Sequence, residues 1–167
     1  MFKKIILFIA RILPMSVMAQ KFGVVNLDEV FTAMPETAEM QKQMEQISQK
    51  FQAEFDKLQE AVNQKYTEYQ NIANDTNTPD AIKERRMQEI QELANNVDKF
   101  RNQAQQDIAR QQEQLAAPIQ QKITDAINAV GQENGFTFIF PNEPGLLLYK
   151  GTDVVDVTPM IRTKLGL

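Results

Sequence analysis

The most regular feature of the chain is an apolar stripe over residues 40–72, in which apolar positions recur every three or four residues. This spacing keeps one side of an α-helix apolar, and the intervening positions here are mostly polar, charged or Ala. A second stripe over residues 82–115 has similar spacing and one polar interruption, at Gln111. The pattern therefore predicts two long amphipathic helices, each spanning roughly 50–60 Å.

A cluster of turn-forming residues at 74–80 separates the two stripes, and within it Thr78 and Pro79 are typical of a helix start. Two helices joined by a tight turn run antiparallel, and stripes this narrow are buried most simply in a coiled coil. We therefore predict an arm, residues 36–117, that is an antiparallel coiled-coil hairpin. Its predicted seam consists of Met40, Met44, Ile47, Phe51, Phe55, Leu58, Val62, Ile90, Leu93, Val97, Phe100, Ile108 and Leu115.

The segments on both sides of the arm predict a small body, residues 20–35 and 118–167. Residues 21–26 (KFGVVN) are short and β-branched, as in a strand, and the following short helix is expected to stop at Pro35. Pro118 lies inside the second helical pattern. Because proline removes a helical hydrogen bond, we expect a kink or a new helix there.

The end of the chain carries further short apolar segments. Residues 136–140 (FTFIF) and 146–149 (LLLY), with a five-residue loop between them, predict an antiparallel β-hairpin. Residues 154–157 predict a short extended piece, and Thr158 is expected to begin a closing helix. The predicted fold class is α+β, predominantly α, with a long antiparallel coiled-coil hairpin arm projecting from a small β-containing body.

The predicted body is too small to be stable alone, because a sheet of about three strands buries little apolar surface. Its strands are apolar on both faces, so one face and the sheet edges need a second subunit. We expect the body to be an oligomerisation unit. The residues predicted to build it are Phe22, Val24, Val25, Phe136, Phe138, Phe140 and Leu147.

Residues 1–19 have the order of a secretory signal peptide: two lysines, an apolar run, and small residues at a cleavage site. Arg11 interrupts the apolar run. We predict cleavage after Ala19 and export from the cytoplasm. An uncleaved membrane anchor is the alternative, although the run is shorter than the roughly 20 apolar residues of a spanning helix.

The composition argues against most kinds of catalysis. The chain has no Cys and no His, which removes thiol chemistry, the commonest general base and the commonest metal ligand. No Gly-rich phosphate-binding loop is present in the sequence. Without Lys3, Lys4 and Arg11, the 18 basic residues fall to 15 against 22 acidic residues, a net charge of −7. A surface this acidic argues against nucleic acid as the partner.

Asp153 and Asp156 are the remaining candidates for acid–base or metal chemistry, and a carboxylate-based hydrolase is the hypothesis that they would support. The simpler interpretation is a solvated loop residue and a favourable charge at a helix start. We predict that the protein is not an enzyme and that it binds no cofactor and no metal.

Taken together, KFGVVNLDEVF, the long Gln/Glu/Lys-rich helical pair, GQENGFTFIF and LLLYKGTDVVDVTPMI resemble the Skp/OmpH family of periplasmic chaperones, over residues 20–167. The resemblance implies a homotrimer whose bodies share one β-barrel-like core and whose arms enclose a cavity. It further implies that unfolded outer-membrane β-barrel proteins are held in that cavity in the periplasm, without ATP. A structural coiled-coil spacer of the cell envelope, without client binding, is the alternative.

The chain departs from this family in its charge, because the better-known members are strongly basic. Lys83, Arg85 and Arg86 form a small basic patch that is a candidate contact for lipopolysaccharide or a client. The simpler interpretation is a solvated helical face. The acidic charge of the chain argues against lipopolysaccharide or the membrane surface as a partner.

Overall fold

The computed structural model describes residues 20–167, so the predicted signal peptide and its cleavage site lie outside the described residues. The fold class is confirmed: the protein is α+β and predominantly helical, with a long helical hairpin and a small sheet. In chain order the elements are β1 (Lys21–Val25), α1 (Leu27–Ala33), α2 (Pro35–Ala73), α3 (Asp80–Asn134), β2 (Phe136–Pro141), β3 (Val155–Asp156) and α4 (Thr158–Leu165).

The described chain divides into two compact units. The hairpin unit is Asp28–Thr124, and the sheet unit combines the chain up to Leu27 with Asp125–Gly166. Helix α3 is continuous through both units. None of the helices described has both the length and the apolar character that crossing a membrane requires.

Helices α1 and α2 meet at Met34, which has an extended backbone (φ −67°, ψ 128°). Pro35 then opens α2, where its fixed φ suits a first turn and its missing N–H costs nothing. The Thr37 hydroxyl donates a hydrogen bond to the Phe31 carbonyl at 2.6 Å, which ties the new helix to the end of the old one. The predicted stop at Pro35 is therefore confirmed.

Asp75 organises the turn between α2 and α3. Its carboxylate accepts hydrogen bonds from the Thr78 hydroxyl at 2.7 Å and from the Asn77 backbone N–H at 2.9 Å. These two bonds hold the pKa of the Asp75 carboxyl below its usual range, and the bond from the Thr78 hydroxyl has the larger effect. The Pro79 carbonyl accepts the backbone N–H groups of Ile82 and Lys83, which makes it the first acceptor of α3. The turn thus forms where the sequence predicted it.

Helices α2 and α3 pair in opposite directions. Near the middle of each helix, the rings of Phe51 and Phe100 lie 6.1 Å apart. At the other end of the pair, the Lys122 ammonium on α3 contacts the Glu36 carboxylate in the first turn of α2. Because later residues of α3 meet earlier residues of α2, the two helices form an antiparallel hairpin.

Of the two outcomes expected at Pro118, a kink or a new helix, the new helix is wrong, because α3 runs without a break from Asp80 to Asn134 with Pro118 inside it. The apolar stripe continues in register past the proline. Ile119 is 3% exposed and Ile123 is 6% exposed, so their burial offsets the hydrogen bond that the proline removes.

The sheet has the order β2-β1-β3, and both pairings are parallel. The predicted antiparallel hairpin is therefore wrong: residues 146–149 form no strand, and Leu147 lies in an irregular segment. Val155 and Asp156, within the extended piece predicted at 154–157, pair with the other edge of β1. Strands that follow β1 in the same direction need long connections, and the helical hairpin supplies the first of them.

The sheet unit closes tightly around Gly23. A Cβ atom on Gly23 would lie 3.1 Å from Val157 Cγ1 and 3.2 Å from Ile139 Cγ1, so a larger residue would crowd both neighbours. Ile139 in turn lies against Gly131 of α3, where a Cβ atom on that glycine would be 3.5 Å from Ile139 Cδ1. The face of the sheet that carries Gly23 is therefore covered by the last turns of α3.

The start of α4 differs from the prediction. The cap residue is Val157, not Thr158, and the Val157 side chain makes no cap hydrogen bond. Thr158 is only 2% exposed, and its hydroxyl accepts the Asn26 backbone N–H at 2.9 Å. Because this hydroxyl is buried beside the end of β1, it accepts a backbone N–H that follows the strand and does not cap its own helix.

We predict that Pro118→Ala raises the free energy of unfolding by about 1–3 kcal/mol, because alanine restores the helical hydrogen bond at an exposed position of α3. Urea denaturation at one fixed protein concentration measures the change. Ala117→Gly, at the neighbouring exposed position, is the matched control and should lower stability by about 1 kcal/mol. Reduced stability of Pro118→Ala would show that the proline ring itself stabilises the hairpin.

Candidate functional site

The predicted seam residues lie along the hairpin, but most of them keep part of their surface in solvent. Ile90 and Val97 are buried, each 8% exposed. Two helices cover each other from one side only, so the rest are half-buried. The half-buried seam residues are Met40, Met44, Ile47, Phe51, Phe55, Leu58, Val62, Leu93, Phe100, Ile108 and Leu115.

A groove of about 540 Å³ opens on the hairpin where the seam is interrupted by Gln111. We call it the seam groove. Its apolar residues are Ile47, Phe51 and Phe100, with the two rings inclined at 54° to each other. Its polar residues are Lys50, Glu54, Asp107, Arg110 and Gln111. The one sequence signal of this groove was Gln111, the polar residue in the second stripe. The spacing of the stripe did not indicate that a cavity forms there.

A second, smaller groove of about 230 Å³ lies beside Pro118 on the same hairpin. The ion pair between Glu36 and Lys122 lines it, together with Met40 and Ile119. The hydrogen bond from Lys122 holds the pKa of the Glu36 carboxyl below its usual range. This pair fixes the end of the hairpin that lies away from the turn.

One face of the sheet carries a cluster of three phenylalanines, which we call the aromatic face. The rings of Phe22 and Phe138 stack at 6.3 Å with an angle of 5°, and those of Phe138 and Phe140 lie 5.8 Å apart. Phe138 is nevertheless 57% exposed and Phe140 is 43% exposed. Since side chains alternate along a strand, this face is opposite to the one that carries Gly23.

The other predicted body residues divide into two groups. Val24 and Val25 belong to the core of the chain itself, at 1% and 2% exposed. Phe136 is half-buried, with the Lys21 ammonium 4.2 Å above its ring centre. In the segment that follows β2, Leu147 is half-buried, whereas Leu148 and Tyr149 stand in solvent. The sheet unit thus leaves apolar side chains exposed on its aromatic face and in this segment.

The charge of the basic patch is partly neutralised by a carboxylate on the same helix. Arg85 and Arg86 both pair with the Glu89 carboxylate, at 3.3 and 2.7 Å. The Arg86 contact is the main reason that the pKa of Glu89 is lowered, and the same contact raises the pKa of Arg86. Arg85 and Arg86 share this one carboxylate, and Lys83 forms no ion pair among the described residues, so the patch keeps only part of its positive charge unpaired.

Asp153 and Asp156 do not form a shared site. The Asp153 carboxylate accepts a hydrogen bond from the hydroxyl of its neighbour Thr152 at 3.3 Å. The Asp156 carboxylate accepts the Thr158 backbone N–H at 2.9 Å, and the Thr158 hydroxyl and N–H together lower the pKa of Asp156. Within residues 20–167, no cluster of three or more acidic side chains could hold a metal ion. Asp156 therefore has a structural role, because it accepts a backbone N–H at the start of α4.

A comparison with family models decides the family. The model described as outer membrane protein (OmpH-like) matches residues 21–165. The chain belongs to the OmpH-like family. A comparison with curated proteins finds no match.

Membership in the OmpH-like family supports a general role as a periplasmic chaperone of outer-membrane proteins, which is a binding role rather than a catalytic one. The match covers β1, both long helices, the whole sheet and α4, so it applies to both units of this OmpH-like protein. The Skp/OmpH resemblance noted in the sequence is thereby confirmed.

We predict that Asp156→Asn lowers the melting temperature at pH 7 by about 1–4 °C, because the ionised carboxylate accepts two hydrogen bonds from Thr158. The pKa of Asp156 is lowered in the folded protein. Its contribution is therefore complete above the unfolded value of about 3.9 and is lost as pH falls through the folded value.

Thermal melts of the wild type and Asp156→Asn at pH 7 and pH 3 measure this, and the difference should shrink at the lower pH. Asp153→Asn is the matched control and should change neither melt. An equal difference at both pH values would contradict the assignment of the stabilisation to the ionised carboxylate.

Proposed function

We propose that the protein is an ATP-independent holdase of the periplasm, exported by a signal peptide cleaved after Ala19. In this proposal it binds unfolded outer-membrane β-barrel proteins in a cavity between the coiled-coil arms (residues 36–117) of a homotrimer, and so prevents their aggregation. The observation that carries the proposal is the long antiparallel hairpin with a half-buried seam, in a chain that belongs to the OmpH-like family.

The hairpin has the surface that weak, repeated contact with an apolar chain requires. Its outer positions are charged or polar, with i,i+3 and i,i+4 ion pairs such as Lys65–Glu68 and Arg110–Asp107, so it remains soluble. Most of its seam residues retain partial exposure; Ile90 and Val97 are buried. Individual contacts of this kind are weak, but several arms acting on one client raise its local concentration and add their effects.

The aromatic face supports the trimeric part of the proposal. Isolated apolar residues on a surface are common, but Phe138 and Phe140 are adjacent, and Phe138 stacks on Phe22. The outer edge of β2 also has no partner strand in the described sheet, whose order is β2-β1-β3. Exposed edges and apolar faces of this kind pair with another chain unless they are covered. Further copies of this chain are the partner that we propose.

Nucleic acid and lipopolysaccharide are not part of the proposal. Removing residues 1–19 takes away Lys3, Lys4 and Arg11 and increases the acidic excess of a chain whose net charge is already −4. Arg85 and Arg86 are paired with Glu89 on their own helix. Both observations weaken the attraction of an anionic partner.

We predict that the mature protein suppresses the aggregation of an outer-membrane β-barrel protein when that protein is diluted out of urea, and that added ATP makes no difference. Light scattering measures the suppression over a range of chaperone-to-client ratios. An equal mass of an unrelated coiled-coil protein is the control. A structural spacer of the envelope would leave the scattering unchanged, and that result would overturn the proposed function.

We further predict that Phe138→Asp converts the trimer into monomers, because three carboxylates would be buried against apolar partners on the aromatic face. Native mass measured by sedimentation detects the change, and circular dichroism checks that the helices persist. Ile82→Asp, at a residue 47% exposed on the hairpin unit, is the matched control and should remain trimeric. A monomeric wild type, or a trimeric Phe138→Asp, would contradict the proposed oligomer.

A further inference from the structure

The seam groove, about 540 Å³ in volume, is built from residues that a simple coiled coil would arrange differently. The spacing of the second stripe places an apolar residue at position 111, but the chain has Gln111 there. Gln111 is half-buried and lines the groove together with Ile47 and Phe51 across the seam. The interrupted stripe therefore leaves about 540 Å³ of open space over an apolar floor.

The floor of the groove is suited to an aromatic side chain. The rings of Phe51 and Phe100 are 6.1 Å apart and tilted by 54°, and both are half-buried, so part of each ring faces solvent. A third ring can contact such a pair through an edge-to-face or offset arrangement, which aromatic groups prefer. The volume is within the roughly 300–1,000 Å³ that is usual for pockets that bind small groups.

The rim of the groove carries both paired and unpaired charges. Arg110 pairs with Asp107 at 2.6 Å, and Glu54 pairs with Lys57 at 3.3 Å. Lys50 has no ion pair or hydrogen bond of its side chain within residues 20–167, and it is exposed. A ligand that complements the rim therefore carries a carboxylate close to its apolar group.

We propose that the seam groove binds an aromatic side chain of an unfolded polypeptide at a segment where an Asp or Glu lies close to it, with Lys50 pairing to that carboxylate. This inference rests on the proposed holdase function and names a site on the arm that contacts the client. Strands of outer-membrane barrels alternate apolar and polar residues and carry aromatic residues at both membrane interfaces. An unfolded barrel chain therefore presents aromatic side chains with polar residues close to them, and those with an Asp or Glu nearby fit the groove.

The absence of tryptophan from the chain allows a direct binding test. The probes are two soluble ten-residue peptides, each with one Trp, flanked in one peptide by Asp and in the other by Lys. The emission of the peptide Trp shifts to shorter wavelength when the ring leaves water, and the protein contributes no Trp signal. We expect the full mature protein to bind the Asp-flanked peptide more tightly than the Lys-flanked one.

Lys50→Glu tests the role of the rim charge. We expect it to weaken binding of the Asp-flanked peptide by about fivefold, the size of an exposed ion pair, and to improve binding of the Lys-flanked one. Lys42→Glu makes the same charge change at an exposed position of α2 outside the groove, and should leave both affinities unchanged. Equal effects of the two variants would show that only the overall charge matters, and would overturn the assignment to the groove.

Gln111→Phe tests the cavity itself, because its ring would occupy the groove from within. We expect at least a tenfold loss of affinity for both peptides, with helix content unchanged by circular dichroism. Gln105→Phe, at an exposed position of α3 outside the groove, is the matched control and should bind as the wild type does. Wild-type binding by Gln111→Phe, or no peptide binding by the wild type, would overturn this inference.

The aggregation assay separates the two ideas. If the wild type suppresses client aggregation but the peptides bind equally well to Gln111→Phe, the holdase function stands and the groove assignment fails. If the wild type does not suppress aggregation, the proposed function fails, whatever the peptides do.

Discussion

The rest of the hairpin unit depends on the burial of one apolar stripe of α2 against one stripe of α3. An isolated helix of this composition gains little from its backbone alone, and most of its stability comes from packing an amphipathic face. The contact of Phe51 with Phe100 and the ion pair of Glu36 with Lys122 show that this packing continues from the middle of the hairpin to its end. The same burial keeps α3 continuous across Pro118.

Pairing of only two helices also explains how the hairpin can be stable and still leave apolar surface accessible at its seam. Most seam residues contact the partner helix and also keep part of their surface in solvent, although Ile90 and Val97 are buried. Where the stripe is interrupted at Gln111, this residual exposure widens into the seam groove. A long hairpin with a charged surface and apolar residues at its seam suits the family's general role as a periplasmic chaperone of outer-membrane proteins.

In the sheet unit, the two faces of the sheet differ in burial. Gly23, Ile139 and Val157 pack closely on the covered face, where α3 supplies Gly131 as a neighbour. The opposite face leaves Phe138 and Phe140 in solvent. A sheet that is complete on one side and apolar on the other has the character of a half-interface, which is the physical basis for proposing an oligomer.

The sequence by itself determined the elements whose signals are local. The three-and-four spacing of the stripes predicted α2 and α3, the polar cluster before Asp80 predicted their turn, and Pro35 predicted a helix boundary. These predictions succeeded because periodicity, turn chemistry and proline geometry act over a few residues. The family resemblance was likewise carried by segments that lie within residues 21–165, the range that the family model matches.

Only the tertiary structure decided the features that depend on distant partners. Residues 146–149 look like the returning strand of a hairpin with β2, but they form no strand, and β2 pairs in parallel with β1. Thr158 looks like a helix cap, but its buried hydroxyl accepts the N–H of Asn26. Pro118 looks like a break, but the packing of Ile119 and Ile123 holds the helix together. In each case the local preference is worth a few kcal/mol at most, and burial against residues far away in the chain outweighs it.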